Sequence, residues 1–154
     1  MRAGSGDALE RVYREDGPRL WRALVAYSGD TDVADDAMAE AFAQALARGP
    51  NLREPVRWIW RVAFRVAAGE LQRRRRRPSG RATEIRGLDD ATVELVDALQ
   101  ALSPNQRAAI VLFYYADYPT REIARVLGST SATVRVHLSA GRKRLRTALG
   151  DDDA

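Results

Sequence analysis

Cysteine is absent from the 154 residues, which excludes disulfides and thiolate metal sites. A single histidine, His137, leaves too little for a histidine-based metal centre or a catalytic triad. Long apolar runs are missing as well. The longest, residues 108–116, is nine residues, where a membrane-spanning helix needs about 20. The N-terminus lacks a basic segment followed by an apolar one, the pattern of a secretory leader. There is no glycine-rich phosphate loop, no internal repeat and no strand-like alternation. No constellation of nucleophile, acid and base stands out, so the chain is not expected to be an enzyme, and no cofactor, metal or membrane insertion is expected. A cytoplasmic, nucleoid-associated, all-α protein is predicted.

Charge of both signs is present but unevenly spread. Residues 1–50 carry six basic and nine acidic groups, net −3; residues 51–90 carry eleven and five, net +6; residues 104–150 carry eight and two, again +6. Two kinds of partner follow: phosphate for the basic parts, and a basic protein surface for the acidic one.

Residues 120–145 read as helix, tight turn, helix. Thr120 is the expected N-cap, and Ile123, Ala124 and Leu127 fall on one apolar face. Gly128 stands where a helix end calls for a left-handed residue, and Ser129, Thr130 and Ser131 offer hydroxyl caps for a second helix. There, Val134, Leu138, Gly141 and Leu145 form a buried stripe, while Arg142, Lys143, Arg144 and Arg146 join Arg135 in a basic surface free of acids. A basic second helix after a glycine turn fits the helix-turn-helix, whose second helix enters the DNA major groove. The residues predicted to face DNA are Thr130, Ser131, Ala132, Arg135, Val136, Ser139, Arg142, Lys143 and Arg144. A plain helical hairpin with a solvated basic face is the alternative; the small Ala124, which permits a close crossing, argues against it. Ser129 occupies a place usually held by a buried aliphatic residue, which predicts a loose turn. His137, at the stripe's edge, is expected to pack or touch phosphate.

The first half reads as three helices. Residues 7–28 are helical, interrupted at Gly17-Pro18, with Pro18 starting a second piece, and Gly29 ends it. Residues 30–48 set an apolar side (Ala34, Met38, Ala41, Phe42, Ala45, Leu46) against the acids Asp32, Asp35, Asp36 and Glu40. Acids near a helix N-terminus simply complement its dipole, which covers Asp32 and Asp35; Glu40 lies too far in, and a docking ridge is the other reading. After a loop at residues 49–54, a helix from Pro55 to about residue 76 mixes Trp58, Trp60 and Phe64 with Arg57, Arg61 and Arg65, its inner face being Ile59, Val62, Ala63 and Val66. Aromatics beside arginines suit single-stranded nucleic acid, through stacking and phosphate neutralisation; burial of both tryptophans in a core is the bland alternative. The run from Arg73 to Arg77 continues that basic surface. A polar linker runs to about Asp90, and a helix with Val93, Leu95, Val96 and Leu99 apolar spans residues 91–102. Ser103-Pro104-Asn105-Gln106 is a capping box with proline at the first helical position.

Together these segments resemble the extracytoplasmic-function sigma factors, the two-domain class that directs bacterial RNA polymerase. Residues 102–145 are similar to the family's fourth conserved region, with its Leu-Ser-Pro-x-Gln-Arg opening, Glu-Ile-Ala, Leu-Gly, Thr-Val-Arg and Arg-Lys-Arg-Leu. Residues 34–42, ADDAMAEAF, resemble the region-two helix, with Ala39 in place of the usual Gln. Residues 58–77 resemble the family's Trp-Leu-x-x-Ile-Ala-x-Asn helix with its basic tail, Arg65 standing for the Asn and Gly69 for a common Asp. The resemblance implies a region-two domain at 1–77, a flexible linker at 78–90 and a region-four domain at 91–150. It implies that Asp32, Asp35, Asp36 and Glu40 dock on the clamp coiled coil of the polymerase large subunit. Asn51, Leu52, Arg53, Trp58, Trp60, Arg61, Arg65 and Arg73 would hold the melted −10 strand, and the helix from Ser131 would read the −35 duplex. Promoter DNA and core polymerase are the implied partners, with room for an anti-sigma factor. The rival is a stand-alone helix-turn-helix regulator with an N-terminal dimerisation or sensing domain.

Overall fold

Gly29, at φ 70°, closes a first helix, α1 (Ser5–Ser28), that runs unbroken through Pro18. The computed structural model describes residues 5–75 and 88–150, and every regular element among them is helical. The expected break at Gly17-Pro18 does not occur. Pro18 removes one main-chain donor, at a cost of about 3 kcal/mol inside a helix. The buried stripe continues on both sides of it, from Leu9 to Leu20, Leu24 and Tyr27. Each fully buried large side chain contributes about 1.5–3 kcal/mol, so packing outweighs the proline.

Asp30 caps α2 (Thr31–Arg48), its Oδ1 accepting from the amides of Asp32 (2.8 Å) and Val33 (3.3 Å). The buried face of α2 is Val33, Ala34, Ala37, Met38, Ala41 and Ala45, rotated slightly from the predicted one: Leu46 is 56% exposed, and Phe42 is half-buried with its ring edge-on to Tyr13. A face this rich in alanine lets α1 and α3 (Pro55–Arg75) approach closely. A short 3₁₀ turn, Gly49–Asn51, joins α2 to the loop before α3. On α3, Ile59, Trp60, Ala63, Phe64 and Ala67 are buried, while Val62 and Val66 are only partly so.

α4 (Asp90–Leu99) begins one residue earlier than expected, capped by Asp89, and ends three residues sooner. Its Val96 and Leu99 are buried, whereas Leu95 is exposed. The capping box forms at α5 (Pro104–Ile110): Ser103 Oγ accepts from the Gln106 amide and the Gln106 side chain accepts from the Ser103 amide. The helix then widens into one π turn, Val111–Tyr115, before Asp117, in the left-handed region at φ 60°, turns the chain. α6 (Thr120–Leu127) has Pro119, not Thr120, at its cap position, with no side-chain cap bond. Gly128 is left-handed (φ 64°, ψ 44°). The Ser129 amide reaches back to the Ala124 carbonyl at 2.8 Å and the Gly128 amide to that of Arg125, the paired bonds of a Schellman ending. The turn is therefore closed by main chain, and the exposed Ser129 does not loosen it. Thr130 caps α7 (Ser131–Ala148).

The stripe on α7 is as expected, with Val134, Leu138 and Gly141 buried and Leu145 packed against the core. Its closest approach is at Gly141, where an added Cβ would meet Ile110 Cγ1 at 2.9 Å and Cδ1 at 3.3 Å. Gly141→Val is therefore expected to destabilise the protein by about 1–3 kcal/mol, the usual overpacking cost, despite the better helix propensity of valine. Thermal denaturation checks this; an unchanged Tm would mean that Ile110 yields freely.

The helices α1–α3 and α4–α7 do not hang apart. One core cluster includes buried residues of both groups, from Leu20 and Trp60 to Leu112 and Ile123. Arg107, almost fully buried, donates from Nε to the Tyr27 carbonyl at 2.5 Å and from Nη1 to that of Leu102 at 3.0 Å. Gln100 donates to the Ala26 carbonyl at 3.3 Å, and Arg19 to that of Tyr115 at 2.7 Å. A linker without an apolar face predicts halves of undefined relative geometry; direct contact between the halves sets it instead. Arg76, Arg77, residues 78–87 of the expected linker and the acidic residues 151–153 lie outside the described residues.

Candidate nucleic-acid interface

The capped N-terminus of α7 presents Thr130, Ala132, Arg135, Val136 and Ser139 on its outer surface, with Ser131 half-buried beside them. Val136 is 65% exposed; single exposed aliphatic residues are common, and this one could meet a thymine methyl in the major groove. Lys143 and Arg144 are exposed further along. Arg142 departs from expectation. Its Nη1 donates to the Tyr114 hydroxyl at 3.0 Å, because the helix turns that position toward the π turn rather than away from it. His137 is partly buried at the stripe's edge.

On α2, Asp32, Asp35, Asp36 and Glu40 are all exposed. Asp35 accepts from the Trp21 indole at 2.8 Å, and Glu40 accepts from Gln44 at 2.7 Å. Asp36 and Glu40 border a shallow groove against Val66, Glu70 and Arg73 of α3. Asp36 makes no salt bridge of its own among the described residues, so its charge is open to an external partner.

The third set of residues is only partly available. Asn51 and Arg53 are exposed and Leu52 is half-buried. Trp58 is half-buried under the Arg48 guanidinium, 5.5 Å from its ring centroid. Trp60 is not the exposed stacking platform that its neighbours suggest. It is 2% exposed, stacked on Phe64 and tilted against Tyr118 at 5.6 Å, and its indole donates to Asp16 at 2.5 Å. The reason is long-range: Tyr118, in the turn before α6, and Asp16 of α1 close over it. Arg61 is half-buried, with Nε unpartnered among the described residues. Arg65 donates to the Arg125 carbonyl at 3.2 Å. Arg73 pairs with Glu70, whose carboxyl it holds below the usual range, chiefly through their hydrogen bond. Arg74 pairs with Asp30.

Two residues outside the predicted set complete this surface. Glu122, with its side chain only 5% exposed, accepts from Arg57 at 3.0 Å and from Arg125 at 3.4 Å. Tyr118 lies under Arg57, 5.9 Å from guanidinium carbon to ring centroid, and burial first, then the nearby Asp16 charge, pushes its phenol up to about 12. Glu122 belongs to the Glu-Ile-Ala motif, but no local pattern shows that it and Tyr118 would meet Arg57, some sixty positions away. No helix among the described residues is long and apolar enough to cross a membrane, and no cluster of three or more metal-ligating side chains occurs among them.

Residues 92–145 match the family model described as Sigma-70, region 4. Among curated proteins, the chain is 29% identical to ECF RNA polymerase sigma factor SigC of Mycobacterium tuberculosis, over 97% of this chain and 88% of the relative. It is 26% identical to SigM of the same species, over 96% and 80%. Among solved structures it is similar to the sigma factor RpoE of Bartonella quintana, in complex with the anti-sigma factor NepR. There the TM-score is 0.76 and the identity 21%, over 95% of this chain and 99% of that one.

Proposed function

We propose that this chain, which belongs to the extracytoplasmic-function sigma factors of bacterial RNA polymerase, is an alternative sigma factor whose halves divide the work of promoter recognition. Residues 1–77 act as a region-two domain and 91–150 as a region-four domain, joined by the linker at 78–90. The observation that carries the reading is the pairing, in one chain, of an exposed acidic ridge on α2 with an exposed, acid-free recognition surface on α7. A stand-alone regulator needs only the second. Relatives that align over nearly the whole chain are sigma factors, so that alternative is not favoured.

In this reading Asp32, Asp35, Asp36 and Glu40 meet the basic clamp coiled coil of the polymerase large subunit. Thr130, Ser131, Ala132, Arg135, Val136, Ser139, Lys143 and Arg144 face the −35 duplex, Arg142 steadying the helix through Tyr114. Asn51, Leu52, Arg53, Trp58, Arg61, Arg65 and Arg73 receive the melted −10 strand; Trp60 joins them only where its present cover is removed. Strand capture requires bases held out of the stack, which an aromatic and cationic helix can do. The chain contributes recognition and melting, the chemistry of RNA synthesis being the polymerase's, and it works where the polymerase does, in the cytoplasm. An anti-sigma factor is a further partner. An apolar groove of about 520 Å³ between α4, the π turn and α7, rimmed by Arg22, Arg142 and Arg146, supports that part of the reading.

Run-off transcription with core polymerase over genomic promoters tests the proposal: specific initiation dependent on this protein is expected, and its absence on every promoter would reject it. At a cognate −35 site, Arg135→Ala should cost about 1–3 kcal/mol and relax preference at one base pair, as loss of a bidentate base contact does. Arg144→Ala should weaken all sequences alike. Electrophoretic mobility shifts of the holoenzyme on a panel of single-base variants separate the two; equal, sequence-independent losses would mean that Arg135 reads no base.

A further inference from the structure

Of the eight large apolar residues left exposed among the described residues, Leu95, Tyr114, Tyr115 and Leu149 gather around one opening. They line the groove of about 520 Å³ between α4, the π turn and α7, to which α1 adds Ala26 and Arg22. Single exposed apolar residues need no explanation, but a contiguous patch of them marks a binding surface. Helical periodicity builds the walls. Leu95, Val96 and Leu99 follow one face of α4, and Leu145 and Leu149 are four residues apart at the end of α7. The volume falls within the range of about 300–1,000 Å³ typical of small-molecule sites, which combine a largely apolar lining with a few placed polar groups.

The charged groups of this lining are all of one sign. Arg22, Arg142 and Arg146 border the groove, and no carboxylate does. Arg142 and Arg146 are four residues apart and so share one side of α7. The Tyr114 hydroxyl holds Arg142, at 3.0 Å. Arg22 and Arg146 are exposed, and neither makes a salt bridge among the described residues. A guanidinium is weakly hydrated and offers a planar fork of donors that fits a carboxylate or a phosphate. Unpaired cations at the rim of an apolar groove call for a ligand with an apolar body and an anionic head. We propose that this groove is a binding site for a small single-chain amphiphile with an anionic head, the chain lying against the leucines of α4 and α7 and the head meeting the arginines of the rim. The site is independent of the promoter role, since neither Arg22 nor Arg146 belongs to the surfaces assigned above to polymerase or DNA. A protein segment seated in the same groove, as suggested for an anti-sigma factor, would compete with the ligand.

Isothermal titration calorimetry of the full chain with sodium decanoate, below its micellar concentration, should show one saturable site. Affinity should rise by up to about fourfold per methylene from hexanoate upward, then level off once the groove is filled. Decanol, which keeps the chain and lacks the charge, should bind about tenfold more weakly, as expected when a charged hydrogen bond is lost. Decyl phosphate identifies the head: whichever of it and decanoate binds more tightly names the natural anion as phosphate or carboxylate. Arg22→Ala combined with Arg146→Ala should weaken decanoate by about tenfold or more. Leu95→Asp sets a like charge in the groove at an exposed position and should abolish saturable binding with an unchanged circular dichroism signal. Should that variant fail to fold, the double arginine variant, both of whose side chains are exposed, still decides. Amide shifts in nitrogen–proton correlation spectra should be confined to residues that line the groove. Affinity that keeps rising with chain length, that equals the affinity for decanol, or that survives the arginine substitutions would overturn the proposal, as detergent-like adsorption. Saturable binding of an acidic amphipathic leucine–glutamate peptide, with none of decanoate or decyl phosphate, would overturn it too and make the groove a protein-docking surface.

Discussion

Asp36→Arg is expected to give a folded protein that no longer binds core polymerase. The side chain is exposed on α2 and makes no salt bridge among the described residues, and the helix cap belongs to Asp30. Nothing internal is lost on substitution, so stability should change by no more than about 0.5 kcal/mol, as at ordinary surface positions, and the helical circular dichroism signal should be that of wild type. The proposed docking surface is another matter. Asp36 sits midway along a ridge of four acids, and a reversed charge there meets a basic partner with like charge, a juxtaposition that costs several kcal/mol at an interface. Loss of detectable complex in a pull-down with core polymerase, at unchanged folding, is the predicted pair of results. Retained binding by the folded variant would mean that the acids serve only the helix dipole.

Moving the two promoter elements out of phase should be as damaging. Inserting about five base pairs between them, half of a B-DNA turn of about 10–10.5 base pairs, should reduce initiation to background in run-off assays, with a full-turn insertion recovering little. The free chain has a defined geometry, but one in which Tyr118 covers Trp60 and α6 engages Arg57 and Arg65. In the proposed reading Trp60 and Arg65 have to be freed for the −10 strand, so a third body is expected to set the working distance. The free protein should accordingly bind promoter duplex weakly and with steep salt dependence, since phosphate contacts dominate what remains. Initiation that survived the half-turn insertion would mean that no fixed spacing is imposed.

What could be read in the sequence was what is decided locally. Gly128 needed only its own backbone freedom, Thr130 and Ser103 only the amides three residues on, and the stripe from Val134 to Leu145 only helical periodicity. The acids of α2 are exposed because nothing nearby could pair with them on the apolar side. The failures share the opposite character. Trp60 sits in a mixed aromatic and arginine helix, and periodicity cannot say that a segment sixty residues away will cover the outer side. The same distance hid the contacts of Glu122 and Tyr118 with Arg57. A proline weighed alone ends a helix, whereas the buried stripe that spans Pro18 belongs to the whole bundle. Arg142 was grouped with the basic surface because one π turn, which no propensity reveals, brings Tyr114 within its reach.

The end of α1 has a bearing on how such a chain can change over generations. Its carbonyls at Ala26 and Tyr27 take their donors from Gln100 and Arg107, across the boundary between the halves. A recombination event that grafted this N-terminal half onto a foreign C-terminal half would lose both of these bonds across the boundary. The two groups of helices are thus tied together at the main chain as well as through side-chain packing.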